Sequence, residues 1–248
     1  MCGRYELHTH PAAIALAFGL LEPPALAPRY NIAPMQQVPV VRVRVEGSRE
    51  CVEMRWGLVP RWAKDPSIGA KMINARSETI ADKPSFRNAF RRHRCLIPAD
   101  GFYEWRPVQG GKQPIHVGMN DGQPLGFAGL YERWLAADGA VLDTCTILTT
   151  QANELLRPIH ERMPVIVAPA NYARWLDAAN VDVSDLFAPY PADAMTWYPV
   201  SARVNAVRND DAALIARVAE PAGDDGAATD APAETISRPR KPVQPRLL

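Results

Sequence analysis

The chain has 248 residues, of which 47% are hydrophobic, and it carries a formal net charge of +1 at neutral pH. This composition is typical of a globular protein, and the small net charge excludes an overall electrostatic attraction to nucleic acid or to an anionic membrane surface. The longest mostly apolar stretch, residues 12–21, is too short to span a bilayer, and charged residues interrupt any secretory signal pattern, so we expect an intracellular, cytoplasmic protein.

The first chemically distinctive position is Cys2, which follows Met1. Initiator methionine is normally trimmed when a small residue follows it, so we expect the mature chain to begin at the free α-amine of Cys2. The thiol has an intrinsic pKa near ~8.5 and the amine one near ~7.7, both close enough to neutrality for neighbours to activate them. Together they can condense with one aldehyde, first to an imine and then to a thiazolidine ring. Taken alone, a cysteine at position two is more often incidental than functional.

Strands outnumber helices in the hydrophobic pattern that follows. Alternation predicts strands at 38–45 and 51–59, joined by the turn sequence Glu46-Gly47-Ser48. The segment 77–93 has a helical pattern that Pro84 interrupts, which predicts two short helices. The remaining predicted strands are 95–97, 102–105, 114–119, 125–134, 141–149, 165–168 and 196–200, the remaining predicted helices are 150–157 and 171–178, and Pro98-Ala99-Asp100-Gly101 predicts a tight turn. Since hairpins join most strands, we assign the chain to the α+β class, built on antiparallel sheet.

The composition changes near Glu220, beyond which Pro, Ala, Asp and Gly dominate and aromatic residues are absent. We therefore predict one domain over residues 2–219 and a disordered tail over residues 220–248. The basic end of the tail is compatible with a nucleic-acid contact, although a solvated tail is the favoured interpretation.

The four cysteines lie far apart and form no Cys-x-x-Cys pair: Cys2, Cys51, Cys95 and Cys145. This spacing argues against a structural zinc site and against a disulfide framework. The last three lie in apolar, strand-like runs, so we predict that they are buried core thiols.

Basic and aromatic residues are interleaved in the middle of the chain. The basic ones are Arg61, Lys64, Lys71, Arg87, Arg91, Arg92, His93 and Arg94, and Trp56 and Trp62 lie in the same part of the sequence. This mixture suits a nucleic-acid single strand, whose phosphates need cations and whose unpaired bases need flat faces. For the cluster at 87–94 taken alone, a solvated helix face is an equally good interpretation.

Six sequence blocks stand out in order along the chain. They are Cys2-Gly3-Arg4-Tyr5, Arg29-Tyr30-Asn31-Ile32-Ala33-Pro34, Arg55-Trp56-Gly57-Leu58-Val59-Pro60, Ile73-Asn74-Ala75-Arg76-Ser77-Glu78-Thr79, Cys95-Leu96-Ile97-Pro98-Ala99-Asp100-Gly101-Phe102-Tyr103-Glu104-Trp105 and Ile159-His160-Glu161-Arg162-Met163-Pro164. Together they resemble the SOS-response-associated peptidase (SRAP) family, whose members covalently shield abasic sites in single-stranded DNA. The resemblance covers roughly residues 2–210 and implies a single domain with an antiparallel, barrel-like sheet and peripheral short helices.

The resemblance implies four catalytic residues, Cys2, Asn74, Glu104 and His160. An abasic sugar must open to an aldehyde by proton transfer, and His160, with an ordinary pKa near ~6.5, suits that role; a structural histidine is the alternative. Glu104 is flanked by aromatic residues that should raise its pKa and help it donate a proton, unless it lies on an exposed strand face. Asn74 would hold geometry, although an asparagine before Ala-Arg-Ser is more often a helix N-cap.

Five further residues are implied as DNA contacts. Arg76 and Arg162 match the family's phosphate contacts, and Arg4 is close enough to the nucleophile to join them, because a guanidinium grips phosphate bidentately. Trp105 and Trp62 are candidates for stacking on bases, with core packing as the competing interpretation. Core packing is favoured for the other tryptophans, Trp56, Trp134, Trp175 and Trp197.

The function implied is therefore a sensor and shield of abasic sites in single-stranded DNA, in which Cys2 forms a thiazolidine crosslink with little or no turnover. We expect a monomer that needs no cofactor or metal, has no membrane partner, and joins the nucleoid when bound to damaged DNA. Two alternatives stay open: a thiol (auto)peptidase with Cys2 as nucleophile and His160 as base, and a plain single-strand binding module in which Cys2 is incidental.

Overall fold

Residues 2–219 are described in a computed structural model, and the elements of that part of the chain follow from hydrophobic alternation and turn residues. Its strands are β1 (Tyr5–Leu7), β2 (Arg29–Ile32), β3 (Gln37–Val43), β4 (Arg49–Trp56), β5 (Asn74–Arg76), β6 (Arg94–Ala99), β7 (Gly101–Val108), β8 (Gly111–Met119), β9 (Leu125–Leu135), β10 (Val141–Gln151), β11 (Arg162–Pro164), β12 (Ile166–Val167) and β13 (Met195–Pro199). The α-helices are α1 (Pro11–Phe18), α2 (Arg87–Arg92) and α3 (Tyr172–Leu176).

Five strands close into a barrel. β3 pairs with β4 and β6, β6 pairs with β9, β9 pairs with β10, and β10 returns to β4. The β10–β4 pair is parallel and the other four pairs are antiparallel. Closing the ring satisfies the backbone hydrogen bonds of both edges. The short strands β5 and β11 also pair with β10.

A second, antiparallel sheet packs against the barrel in the order β13-β8-β7-β1-β2. Its inner face meets the barrel through aromatic rings: Tyr5 lies 5.4 Å from Trp56, and Phe102 lies 6.0 Å from Phe127, between ring centroids. Edge-to-face contacts of this kind add to the hydrophobic stabilisation of a buried core. Because β1 is an inner strand of this sheet, the start of the chain is fixed beside β7.

Most of the predicted strands are confirmed, and the segment 77–93 contains a 3-10 turn at Ser77–Thr79 followed by α2. The helix predicted at 150–157 is wrong: the chain there ends β10 and continues in turns. The expected tight turn near Asp100 does not form a hairpin, because β6 and β7 belong to different sheets. The Asp100 carboxylate instead accepts hydrogen bonds from the backbone amides of His8 and Thr9, each at 2.6 Å.

Two burial predictions need correction. Cys95 and Cys145 are fully buried as expected, but Cys51 is only partly buried. Arg94 does not contribute to a basic surface, because it is buried and donates hydrogen bonds to the carbonyls of Trp175 and Asn180. The predicted tail at 220–248 lies outside the described residues. Within residues 2–219, no helix combines the length and the apolar character needed to cross a membrane.

Candidate functional site

Cys2 is fully buried just before β1. The side-chain amide Nδ2 of Asn74 donates a hydrogen bond of 2.8 Å to the Cys2 carbonyl. Asn74 reaches this position because β5 pairs in parallel with β10, with Asn74 opposite Ile147. It is a strand residue, so the N-cap interpretation is wrong. Its Oδ1 atom is buried and has no hydrogen-bond partner among residues 2–219, which leaves one acceptor available beside Cys2.

Glu104 lies on β7. The strand pairs with β1 and β8, and Glu104 stands opposite Ile115 with only 5% of its surface exposed. Burial raises the pKa of the Glu104 carboxyl because the charged form loses water. Burial, and secondly the charge of Glu104, raise the pKa of the Cys2 thiol. The two groups are therefore within electrostatic reach, and the pair favours a neutral thiol and a carboxyl that can donate a proton.

His160 is partly buried in the turn before β11. The backbone amide of Arg162 donates to His160 Nδ1 at 2.9 Å, and the Arg162 carbonyl lies 3.2 Å from the same nitrogen. The shorter contact favours the neutral tautomer with its proton on Nε2. Burial lowers the pKa of His160, which favours this neutral form near pH 7. The charge of Lys112, an exposed residue of β8, makes a smaller contribution that lowers the pKa of both His160 and Glu104. Both side chains therefore lie near one lysine that no sequence signal had singled out.

Arg76 and Arg162 lie in one surface groove of about 590 Å³. The strands place them there, since Thr149 of β10 stands opposite Arg76 of β5, and Gln151 stands opposite Arg162 of β11. Arg76 is exposed, whereas only 15% of the Arg162 side chain is exposed. The groove is lined by Arg76, Glu78, Thr79, Gln151, Ala152, Arg157, Glu161 and Arg162. Sequence reasoning missed Arg157, which lies in the segment predicted to be helical.

Arg4 takes part in a structural network. Its Nη1 atom donates to Asn31 Oδ1 at 2.7 Å and to the Val204 carbonyl at 2.8 Å. Asn31 itself donates to the carbonyls of Ala206 and Asn209. These contacts tie the start of the chain to residues 204–209. Contact of Arg4 with a phosphate stays a prediction.

The two tryptophans considered for stacking differ in exposure. The Trp62 side chain is 59% exposed, so its face is available to a base. Trp105 is partly buried, and its Nε1 donates to Asn205 Oδ1 at 2.8 Å. Core packing is confirmed for Trp56, Trp134 and Trp175, while Trp197 is only partly buried, with the Arg106 guanidinium 4.9 Å from its ring centroid.

The sequence matches the model of one protein family, described as SOS response associated peptidase (SRAP), over residues 1–207. The abasic site processing protein YoqW of Bacillus subtilis is 43% identical to the chain over 223 residues, which cover 87% of the chain and 99% of that protein. The abasic site processing protein HMCES of Gallus gallus is 36% identical over 215 residues, covering 74% of the chain and 64% of that protein.

Solved structures share the fold. A protein from Bacteroides thetaiotaomicron superposes with a TM-score of 0.79 at 25% identity, covering 88% of this chain and 100% of that one. A protein from Bordetella bronchiseptica superposes with a TM-score of 0.73 at 32% identity, covering 81% of this chain and 100% of that one. The barrel and its second sheet are therefore an architecture common to several bacterial proteins.

Proposed function

This chain belongs to the SOS response associated peptidase (SRAP) family, and from that membership we propose that it senses and shields abasic sites in single-stranded DNA. The names of its relatives in Bacillus subtilis and Gallus gallus, both abasic site processing proteins, support the abasic site as the target. The observation that carries the proposal is the setting of Cys2, which is buried, hydrogen-bonded through its carbonyl to Asn74 and acted on electrostatically by Glu104.

Capture begins with the amine. Removal of Met1 frees the Cys2 α-amine, whose nitrogen attacks the aldehyde carbon of the opened sugar, and one proton moves from this nitrogen to the former carbonyl oxygen. The neutral carboxyl of Glu104 then gives a proton to the hydroxyl group, which leaves as water, and the resulting iminium returns a proton to the Glu104 carboxylate to leave an imine. In this proposal the amine donates a hydrogen bond to the Oδ1 atom of Asn74, which aims the nitrogen lone pair; the buried, unpartnered state of Oδ1 in the described chain supports this role.

Ring closure makes the link durable. The Cys2 sulfur attacks the imine carbon, a C–S bond forms, and the thiol proton passes to the nitrogen, which completes a thiazolidine. Because its raised pKa keeps the thiol neutral, sulfur does not compete with the amine for the aldehyde at the first step. An imine alone hydrolyses readily, whereas the closed ring resists both hydrolysis and elimination of the DNA strand.

His160 serves the step before capture. An abasic sugar is mostly a closed hemiacetal, so one proton must leave the C1′ hydroxyl and another must reach the ring oxygen. The neutral imidazole, with Nδ1 engaged by the Arg162 amide, exchanges these protons through Nε2.

The groove that contains Arg76 and Arg162 positions the DNA strand relative to Cys2 by binding its phosphates. Guanidinium groups bind phosphate without reading sequence, which suits a lesion that can occur anywhere. The exposed ring of Trp62 supplies a face for a base of the same strand.

The peptidase alternative is less well supported. A thiol peptidase needs a thiolate near neutral pH. Burial and the charge of Glu104 both raise the pKa of the Cys2 thiol, which opposes thiolate formation. The raised pKa suits attack on an imine, where the thiol proton has an acceptor within the same intermediate.

The test is incubation of the processed protein with a single-stranded oligonucleotide that carries one abasic site, followed by denaturing electrophoresis. Wild type should give a shifted band that survives denaturation, whereas Cys2→Ala should give a band only after borohydride reduction. Cys51→Ala is the matched control, since Cys51 lies on β4, and it should crosslink like wild type. A wild-type protein without a stable band, or Cys2→Ala with one, would overturn the proposal.

A further inference from the structure

Arg162 is held by an ion pair with Glu78. Its Nη1 atom donates to Glu78 Oε1, and its Nη2 atom donates to Glu78 Oε2 at 2.9 Å. This is the parallel, bidentate geometry with which a guanidinium binds a phosphate group. The carboxylate therefore occupies the same edge of Arg162 that the proposed function assigns to DNA.

Two further donor groups of Arg162 are turned towards the protein. The Nη2 atom also donates to the Thr149 carbonyl at 2.5 Å, and the Nε atom is buried. Only 15% of the side chain is exposed, against 45% for Glu78. A phosphate approaching from the groove thus meets the guanidinium edge that Glu78 covers, and the carboxylate is the partner free to swing towards solvent.

Glu78 lies within the charge field of both groove arginines. The hydrogen bonds and charge of Arg162, and then the charge of Arg76, lower the pKa of the Glu78 carboxyl. The carboxylate is therefore ionised at neutral pH and competes with any other anion in the groove. If it leaves, Arg162 stays in place because the Thr149 carbonyl still holds Nη2.

We propose that Glu78 is a built-in competitor for the DNA phosphate, which occupies Arg162 in the free protein and is displaced when a strand binds. This inference rests on the proposed function. Its consequence is selectivity: every strand must displace Glu78, which weakens binding to intact DNA. An abasic strand then forms a covalent bond with Cys2. Competition from Glu78 has little effect on a strand that is already bound covalently.

The test compares noncovalent affinity for an undamaged single-stranded oligonucleotide of about ten nucleotides, measured by fluorescence anisotropy at low salt. Glu78→Gln should bind about three- to tenfold more tightly than wild type, because the fraction of protein with Arg162 available rises. A purely structural role for Glu78 would give the opposite sign, since Arg162 would then lose its orientation.

Asp82→Asn is the matched control, because Asp82 is exposed, lies four residues after Glu78 and is not among the residues that line the groove. It removes an equal charge and leaves the ion pair between Glu78 and Arg162 intact, so its affinity should stay within about twofold of wild type. In an Arg162→Gln background, Glu78→Gln should give no gain.

Unchanged or weaker binding by Glu78→Gln, an equal gain by Asp82→Asn, or no measurable binding by any variant would overturn this inference. Its failure is distinguishable from failure of the proposed function, which the abasic oligonucleotide tests separately. If wild type crosslinks the abasic strand but binds the intact strand as tightly as Glu78→Gln does, only the role of Glu78 is contradicted, and the proposed function stands.

Discussion

The side-chain amide of Asn74 is hydrogen-bonded to the carbonyl of Cys2 at 2.8 Å, across 72 positions of sequence. This bond fixes the backbone of the residue proposed as nucleophile. We predict that Asn74→Ala slows single-turnover crosslinking about five- to tenfold, because a hydrogen bond of this kind contributes about 1 kcal/mol. Affinity for an intact strand should not change. Asn88→Ala, at an exposed position of α2, is the control and should react at the wild-type rate.

The pH dependence of crosslinking should report Glu104. Because burial raises the pKa of Glu104, the carboxyl stays protonated to a higher pH than usual, and the rate should fall as pH rises through that raised value. Glu104→Gln should be slower by roughly 10²-fold and should lose this limb of the profile. Crosslinking rates of wild type and Glu104→Gln, measured by denaturing electrophoresis at several pH values, test this prediction. Glu53→Gln, an exposed acid on β4, should keep the wild-type profile.

Alanine variants of Trp62 and Trp105 should differ in their effects on DNA affinity and on the free energy of unfolding. Trp62→Ala removes an exposed ring, so it should weaken binding to single-stranded DNA by about 1 kcal/mol or more while leaving the free energy of unfolding within about 0.5 kcal/mol. Trp105→Ala should lower the unfolding free energy by more, because it also removes the hydrogen bond to Asn205. Anisotropy and denaturant unfolding measure the two effects. Equal affinity of Trp62→Ala and wild type would contradict the stacking role.

The buried carboxylate of Glu6 should set the pH range of greatest stability. Its Oε1 lies 3.0 Å from His116 Nε2, and its Oε2 lies 2.5 Å from His8 Nδ1. Burial alone would raise the pKa of Glu6, but the hydrogen bonds from the two histidines outweigh it, so the pKa is lowered. The hydrogen bond from His8 to Glu6 raises the pKa of His8.

The directions of the pKa shifts of Glu6 and His8 define the pH range in which the folded protein is most stable. The lowered Glu6 pKa gives stability that is present above about pH 4.3 and is lost as pH falls through the folded-state value. The raised His8 pKa gives stability that is complete below about pH 6.5 and is lost as pH rises through the folded-state value. Glu6→Gln should cost about 3 kcal/mol near pH 5.5 and flatten both limbs. Urea unfolding at several pH values tests this, and a variant with the wild-type pH dependence would contradict it.

Gly101 should tolerate no side chain. A Cβ there would lie 2.3 Å from His116 Nε2 and 2.7 Å from the Val117 carbonyl, so the paired backbone of β7 and β8 would have to separate. Gly101→Ala is predicted to lower the free energy of unfolding by about 3 kcal/mol. Gly111→Ala is the control, since nothing lies within 4 Å of its added methyl, and it should be close to neutral. Thermal unfolding of both variants measures the difference.

Much of the architecture could be read from local sequence. Strands such as β3, β4 and β9 have long runs of alternating or apolar residues, and turn sequences such as Glu46-Gly47-Ser48 separate them. The six sequence blocks identified the family and nominated Cys2, Asn74, Glu104 and His160 by type and order. These features depend on residues near one another in the chain, which is why the sequence alone reveals them.

Other features depended on the tertiary structure. The strands β1, β5 and β11 span three residues each, too few to show a periodic pattern, and they form only because β7 and β10 supply partners for their backbone groups. Those pairings bring Asn74 to Cys2 and Arg162 to Glu78, residues separated by 72 and 84 positions.

The sequence by itself therefore determined the family, the α+β class and the chemistry of the side chains. Tertiary structure alone decided that Arg94 is buried, that Arg4 binds the segment 204–209, and that Arg162 faces a carboxylate. The physical reason is that burial and ion pairing arise from contacts between segments that are distant in the sequence. No local sequence pattern shows which distant residues will make these contacts.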